Sequence, residues 1–206
     1  CTLWQWDGQK LTPHLSVGRA GAWYAAISSD NQRLAIGYRG TIDVWDITAR
    51  PPRLEKTLKS TDPNGAAYQS DFAKADTLVI AKMGQTHTVW NLTQDEPVPE
   101  TLFADRSPFH FAVSPSRDLL AVDGGGTQLF GLQQLPPQQI LTLQSGLGQF
   151  GSLAFSSDGK QLAVTDDLSV DRSIIDVHDT ETGVRNNRIA LPLPVRRLAF
   201  TDDNRH

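Results

Sequence analysis

Five histidines, one cysteine and a cluster of aspartates are the residues of this chain whose types could bind a metal or carry out catalysis. No two histidines stand at the i,i+2 or i,i+4 spacing that a local zinc site would use; they are His14, His87, His110, His178 and His206. The one cysteine, Cys1, has no second cysteine to pair with and no histidine beside it in the sequence. The sequence therefore predicts no metal site, no cofactor and no nucleophilic pair.

Three other segments look like functional motifs, and each has a simpler structural interpretation. The segment "DDLSVDR" (166–172) carries three carboxylates that could hold Ca²⁺, but it lacks the spacing of a calcium loop and is interpreted as a solvated turn. The run "GGGT" (124–127) lacks the helix and lysine of a phosphate loop, so its glycines are assigned to a hairpin. The triplet "NLT" (91–93) fits an N-glycosylation acceptor, which requires a secreted protein. We therefore predict that the chain is not an enzyme.

The composition is that of a soluble globular protein. Hydrophobic residues make up 39% and charged residues 20% of the 206 residues. A net charge of −4 gives no electrostatic reason to expect nucleic acid or an anionic membrane as a partner. No apolar run approaches the roughly 18 residues of a spanning helix, no signal peptide is visible, and the lone cysteine fits a reducing compartment. We expect an intracellular, cytoplasmic location.

A repeated unit organises the chain. Leucines recur at equivalent places with spacings of 44, 42 and 42 residues; they are Leu34, Leu78, Leu120 and Leu162. The copies around them are "AISSDNQRLAIGYRGTIDVWDI" (26–47), "SDFAKADTLVIAKMGQTHTVWNL" (70–92), "AVSPSRDLLAVDGGGTQLFGL" (112–132) and "AFSSDGKQLAVTDD" (154–167), the last continuing into "RSIIDVHD" (172–179). Partial copies, "TLWQWD" (2–7) and "RRLAFTDDN" (196–204), flank these four. Periods of this length are typical of repeat architectures.

Each copy is predicted to form four short strands. An apolar strand such as "SLAF" (152–155) leads through the turn "SSDG" (156–159) to a second strand, "QLAV" (161–164). The turn is favourable because Asp bonds to nearby backbone and Gly tolerates positive φ. A tight connection such as "RG" (39–40) leads to a third strand that ends at Trp45, and a polar or Pro-rich loop leads to the fourth. No segment has the period of a long amphipathic helix, so the pattern favours an all-β array.

The unit length, the "SSDG"-type turn and the endings "VWDI" and "VWNL" resemble the WD-repeat β-propeller family over nearly the whole chain. The resemblance implies blades that are four-stranded antiparallel sheets, with large third-strand side chains packed between blades. The positions to which it assigns this structural role are Trp6, Trp45, Trp90, Phe130 and His178. The sequence departs from the family because it lacks the Gly-His pair before each innermost strand and carries Phe130 and His178 in place of Trp. Other propeller repeats with "SPDGK"-like turns therefore stay open.

The predicted blades cover the chain, and both ends fall inside a blade. Their approximate bounds are 1–16 (partial), 22–58, 65–103, 109–143, 151–191 and 195–206 (partial). Propellers usually have about 4–8 blades of roughly 40–45 residues each. We expect a slice of a larger ring that further chain or a partner completes. The alternative is a closed ring in which the end strands combine into an incomplete fifth blade.

The residues expected to carry function lie on the face that holds the loops entering the innermost strands and the turns between second and third strands. The charges of these loops cancel, and a neutral face favours a protein or peptide over nucleic acid. Arginine and aromatic residues are the usual interface anchors, and those predicted at this face or the channel mouth are Arg19, Trp23, Arg39, Arg106, Phe150 and Arg172. Each could instead be a solvated arginine or a core ring.

Two functions of different classes follow from the resemblance. The first is a protein-interaction scaffold or sensor module within a larger, bacterial multidomain protein. The alternative is a propeller enzyme, hydrolase-like, with its site at the central channel. That alternative needs histidines or carboxylates from several blades to converge on the channel.

Overall fold

The computed structural model describes residues 1–84, 86–102, 110–116, 118–123, 126–143, 152–169, 172–195 and 197–201, with only the backbone given for Trp6 and residues 166–169. These described residues form eighteen β-strands and no helix, so they include no helix long and apolar enough to cross a membrane. The strands make one two-stranded hairpin and four four-stranded antiparallel sheets, with the strands of each sheet in chain order. This arrangement confirms the predicted all-β fold of four-stranded blades.

The chain divides into two compact units, of which the first is Cys1–Phe72 with Asp76–Thr101 and the second Ala73–Ala75 with Leu102–His206. The first unit holds the hairpin of β1 (Thr2–Trp6) and β2 (Leu11–Ser16). It also holds sheet 1, made of β3 (Tyr24–Ile27), β4 (Arg33–Gly37), β5 (Thr41–Asp46) and β6 (Arg53–Lys59). Sheet 2 consists of β7 (Ala67–Ala73), β8 (Leu78–Met83), β9 (Thr86–Asn91) and β10 (Glu100–Thr101).

The second unit holds sheets 3 and 4. Sheet 3 consists of β11 (His110–Val113), β12 (Leu119–Asp123), β13 (Thr127–Gly131) and β14 (Gln138–Leu143). Sheet 4 consists of β15 (Leu153–Phe155), β16 (Gln161–Ser169), β17 (Arg172–Asp179) and β18 (Arg185–Leu191). Each sheet therefore corresponds to one copy of the sequence repeat.

Apolar side chains on both faces of the central strands hold neighbouring sheets together. Leu34 and Ile36 of β4 pack in one cluster with Tyr38 and with side chains of the hairpin. The next side chain along the same strand, Ala35, belongs to a second cluster that includes Phe72 of sheet 2. Successive residues of a strand point to opposite faces, so a strand covered on both sides needs an almost continuous apolar run. The second unit repeats this arrangement with a cluster shared by sheets 3 and 4.

The turn between the first and second strands is built in the same way in sheets 1, 3 and 4. A buried serine accepts a hydrogen bond from the amide five residues later and donates one to a nearby aspartate; the serines are Ser28, Ser114 and Ser156. The serine hydroxyl is the main cause that lowers the pKa of Asp30 and of Asp158. These contacts explain the predicted "SSDG"-type turn, because the side chains satisfy backbone donors that the ladder leaves open.

The third strand also ends in a recurrent way, at Asp46, Asn91 and Asp179. In each case the side-chain Oδ1 accepts hydrogen bonds from both the amide and the hydroxyl of a following threonine. In "NLT" the two distances are 3.0 and 2.7 Å, so Asn91 forms an Asx turn at the strand end.

Sheet 2 departs from the repeat at its first turn. Lys74, Ala75 and Asp76 have φ values of 48, 51 and 60°, a run of left-handed residues without glycine. Asp76 is buried, and its Oδ2 accepts hydrogen bonds from the amide of Ser29, at 2.9 Å, and from the Ser29 hydroxyl. The turn is therefore anchored to the equivalent turn of sheet 1.

Two local predictions were wrong. The described residues of the segment 166–172 are not one long turn: β16 continues through Ser169 and β17 begins at Arg172, with Asp166 opposite Ile174 and Asp167 opposite Ser173. The predicted innermost strand over 195–200 does not form in its described residues. There the amides of Val195 and Leu198 donate to the side chains of Ser173 and Ser152, so serine hydroxyls take the place of a strand ladder.

Candidate protein-interaction surface

The first unit carries a surface made of three loops at one end of sheets 1 and 2, which we call the loop face. Its residues are 17–23, which lead into β3, 37–41, which join β4 to β5, and 59–68, which lead from β6 into β7. Strand direction places these segments together, because antiparallel strands in chain order return alternate connections to the same edge of a sheet.

Backbone hydrogen bonds join the three loops into one surface. The amide of Trp23 donates to the carbonyl of Gly37 at 2.9 Å, and the amide of Ala67 donates to the carbonyl of Tyr38 at 3.2 Å. A side chain at position 37 would place its Cβ 2.5 Å from the Cβ of Ala67, so glycine is what allows this approach.

An exposed aromatic pair lies on the loop face, at the starts of β3 and β7. The rings of Trp23 and Tyr68 meet edge to face, with centroids 5.9 Å apart and an angle of 78° between their planes. The two residues are 55% and 54% exposed. Burying these rings against a partner would release a large apolar area, while their polar tips keep hydrogen-bonding capacity.

Arg19 is fixed on the loop face by contacts to sheet 1. Its guanidinium lies over the ring of Tyr38, 4.4 Å from the centroid, and its Nη2 donates to Oγ1 of Thr41 at 3.0 Å. Its Nε lies 3.9 Å from Oδ2 of Asp43, which is buried. Because 60% of the Arg19 side chain is still exposed, the cation is both preorganised and accessible.

Arg39 and Lys59 are two further exposed cations of the loop face. Lys59 stands opposite Thr41 in the β5–β6 ladder, and Arg39 forms an isolated bridge with Ala66. Within the described residues the Arg39 side chain makes no ion pair or hydrogen bond. Its guanidinium is therefore available to a ligand.

The predicted interface residues separate into three groups. Arg19, Trp23 and Arg39 come together on the loop face of the first unit. Arg172 is exposed at the start of β17, in the second unit. Arg106 and Phe150 lie outside the described residues. Each of these assignments stays a prediction.

The predicted structural positions differ in their burial. Trp90, Phe130 and His178 are 0, 7 and 1% exposed, whereas Trp45 is only half-buried. Trp90 packs among residues of sheets 1 and 2, and its Nε1 donates to the carbonyl of Lys59 at 3.1 Å. Nδ1 of His178 lies 3.2 Å from the carbonyl of Gly183. For Trp6 only the backbone is described.

Sequence reasoning missed Tyr68 and two buried aspartates, Asp43 and Asp176. Tyr68 lies in β7, the first strand of sheet 2, and no motif in "AYQSDFA" marks it as an interface residue. The aspartates occupy the same place in "IDVWD" (42–46) and "IDVHD" (175–179), and this repetition was the available signal. Both carboxylates are compensated: Asp43 by the hydroxyl of Thr57 at 2.9 Å, and Asp176 by arginines of β18.

In the part of the chain that the structure describes, no group of three or more His, Cys, Asp or Glu side chains could hold a metal ion. A cavity of about 380 Å³ in the first unit is lined by Arg33, Arg53 and Lys56 beside apolar side chains. Arg53 lies 3.8 Å from Asp46 and 3.9 Å from Glu55, and Lys56 donates hydrogen bonds to the backbone carbonyls of Gln94 and Asp95, so two of these cations are already engaged within the chain.

Comparison with known proteins identifies the fold. No family model and no curated protein matches the chain. A chain in the crystal structure of a mitotic checkpoint complex is 17% identical, with a TM-score of 0.62 over 80% of this chain and 48% of that one. Hydrazine synthase from Kuenenia stuttgartiensis is 13% identical, with a TM-score of 0.65 over 91% of this chain and 53% of that one. This chain thus spans about half the length of these propeller-type structures, and together with its four-stranded sheets they identify it as a protein built of β-propeller blades.

Proposed function

We propose that this chain is a protein-interaction module of WD-repeat type whose loop face binds a protein or peptide. The observation that carries the proposal is the exposed Trp23–Tyr68 pair, because two large rings held together in solvent are costly unless a partner covers them. The fixed Arg19 and the free Arg39 beside them supply the polar contacts of an interface. Membership of the 17% identical neighbour in a multiprotein complex agrees with this class of function.

Binding without catalysis is the second part of the proposal. The buried Asp43 and Asp176 are each engaged by a hydroxyl or a guanidinium, which suits a structural role better than acid–base work. With a net charge of −4 and one cysteine, we place the module in the cytoplasm, without nucleic acid or membrane as its main partner.

A third part concerns the far face of sheet 4, which we propose is covered by a further blade. In sheet 1 the equivalent pair, Ile42 of β5 and Leu58 of β6, is 0% exposed because sheet 2 covers it. In sheet 4 the matching pair is Ile175, which is half-buried, and Ile189, which is 41% exposed. The same "IDV" segment is thus covered by a neighbouring sheet in sheet 1 and uncovered in sheet 4. This difference argues that a further sheet of the same kind packs against sheet 4.

The test of the loop face is a selection of random displayed peptides on the full 206-residue chain, followed by affinity measurement. Peptides that bind the loop face should lose most of their affinity for Trp23→Ala and Tyr68→Ala. The matched control is Trp4→Ala, which removes a ring that is 58% exposed on the hairpin. Equal losses for Trp4→Ala and Trp23→Ala would contradict the proposal.

A further inference from the structure

We propose that the segment which binds the loop face is acidic: a peptide whose Asp or Glu carboxylates pair with Arg19, Arg39 and Lys59 while an apolar side chain covers the aromatic pair. The inference rests on the proposed function and names its ligand class. It follows from how charge is distributed on the loops and from which of those charges are already compensated.

The loop face carries an excess of positive charge. Its segments 17–23, 37–41 and 59–68 hold three cations, Arg19, Arg39 and Lys59, and one carboxylate, Asp62. The loop face is therefore basic although the whole chain is acidic, and such a local excess attracts anionic partners.

The three cations of the loop face are grouped around Thr41. Arg19 donates a hydrogen bond to Oγ1 of Thr41, Lys59 is its partner in the strand ladder, and Arg39 precedes it by two residues. Arg19 is held by the ring of Tyr38, so little side-chain entropy is lost when it binds a carboxylate. Arg39 and Lys59 are exposed, so their side chains can change conformation to reach a ligand carboxylate.

The described carboxylates of the same surface neutralise this group only in part. Asp43 is 6% exposed and accepts a hydrogen bond from the Thr57 hydroxyl, so it acts from inside sheet 1 as a support for Arg19. Asp62 is half-buried and accepts the amide of Asn64 at 3.0 Å, which ties it into its own loop. A ligand carboxylate would thus meet accessible cations, whereas the nearby anions are buried or half-buried. This charge distribution is complementary to an acidic peptide.

The aromatic pair distinguishes a peptide from a simple anion. Trp23 donates its backbone amide to Gly37, two residues before Arg39, so the rings and the cations share one surface. A guanidinium binds a carboxylate through paired hydrogen bonds, and the adjacent rings offer an apolar surface for a neighbouring side chain. Three cations are too few for the long phosphate track that gives nucleic acid its affinity, so nucleic acid is an outcome of the test and not the proposal.

The experiment uses the peptides selected on the full chain and compares two charge reversals. Arg39→Glu reverses the charge of the unpaired cation of the loop face. Lys10→Glu makes the same charge change away from that face, in the turn between β1 and β2. We expect selected peptides rich in Asp and Glu beside an apolar residue. Arg39→Glu should weaken their binding about tenfold, Lys10→Glu should leave it unchanged, and raising the salt from about 50 to about 300 mM should weaken it further.

The outcomes separate this inference from the proposed function. Neutral or basic peptides that lose binding with Trp23→Ala but not with Arg39→Glu would overturn the acidic ligand and leave the interaction surface standing. Equal effects of Arg39→Glu and Lys10→Glu would also overturn it. A single-stranded DNA oligonucleotide that binds as tightly as the peptides, and loses binding with Arg39→Glu, would replace the peptide by nucleic acid. The absence of any peptide that depends on Trp23 would overturn both proposals.

Discussion

Arg188 clamps the buried carboxylate of Asp176 through two parallel hydrogen bonds, from Nε to Oδ1 at 2.7 Å and from Nη2 to Oδ2 at 2.8 Å. Asp176 is 1% exposed in the middle of β17, and Arg188 stands opposite it on β18. Nη1 of Arg185 lies further away, 3.7 Å from Oδ2. Paired geometry of this kind is the strong form of an ion pair, and it allows a charge inside a sheet.

Replacing Arg188 by Ala should therefore destabilise the chain substantially. The change removes two hydrogen bonds to a charged group, each worth about 1.5–3 kcal/mol, and leaves the Asp176 carboxylate buried. Arg185→Ala is the control, because its longer contact is worth at most about 1 kcal/mol. Urea unfolding followed by circular dichroism would measure both, and equal free energies of unfolding for the two variants would contradict the assignment.

The same pair predicts an acid-sensitive component of stability. Burial acts to raise the pKa of Asp176, but hydrogen bonds and charge from Arg188, with smaller help from Arg185 and His178, outweigh it and hold the pKa below its ordinary value of 3.8. A lowered pKa contributes stability that is complete above 3.8 and is lost as the pH falls through the lower, folded-state value. The stability advantage of the wild type over Asp176→Asn should shrink in that range, and a constant difference across acidic pH would refute the prediction.

Trp90, in the third strand of sheet 2, should contribute more to stability than Trp45, in the third strand of sheet 1. It is fully buried and its Nε1 is hydrogen-bonded, so Trp90→Ala should cost about 3–5 kcal/mol. Trp45 is half-buried, and Trp45→Ala should cost clearly less because part of its ring is already in water. Chemical denaturation of the two variants is the measurement, and the reverse order would mean that the packing between sheets is misassigned.

The buried serine of the first turn should contribute to stability through hydrogen bonding. Ser156→Ala leaves the amide of Gln161 without its 2.9 Å acceptor and removes a donor from Asp158, at an expected cost of about 1–3 kcal/mol. Ser16→Ala, at an exposed serine with a 3.4 Å contact to Thr2, should be nearly neutral. Thermal melting of the two variants is the measurement, and equal melting temperatures would contradict a stabilising role for the Ser156 hydrogen bonds.

Ile189 should control the association of the chain if a further blade covers sheet 4. An uncovered apolar sheet face favours self-association, so light scattering of the 206-residue chain should detect oligomers that Ile189→Glu reduces. Ile140→Glu is the control, because Ile140 is 52% exposed on β14 and lies on another sheet. A monomer that melts cooperatively, with or without the substitution, would contradict the proposed covering blade.

The sequence by itself determined the blades, because their signals are local. Apolar runs of strand length recur at a fixed period, and in sheets 1 and 4 the serine and aspartate of the first turn bond to backbone within five residues of themselves. Ile42, Val44 and Trp90 could be assigned to the interior from their strand positions alone, since alternate residues of a strand share a face. The same local logic failed at 166–169, where the ladder of β16 with β17 continues through residues that the sequence assigned to a turn.

The tertiary structure alone decided which residues of the loop face contact one another. Trp23 and Tyr68 are 45 positions apart, and their rings meet because Gly37 allows two sheets to approach. Arg19 gains its fixed position from Tyr38 and Thr41, which belong to another loop. Such contacts depend on how one sheet packs against the next, and sequence periodicity carries no information on that geometry. For this reason the strands, and the place of Arg19, Trp23 and Arg39 in face loops, could be read from the chain, whereas the contacts that join them to Tyr68, Tyr38 and Thr41 could be read only from the fold.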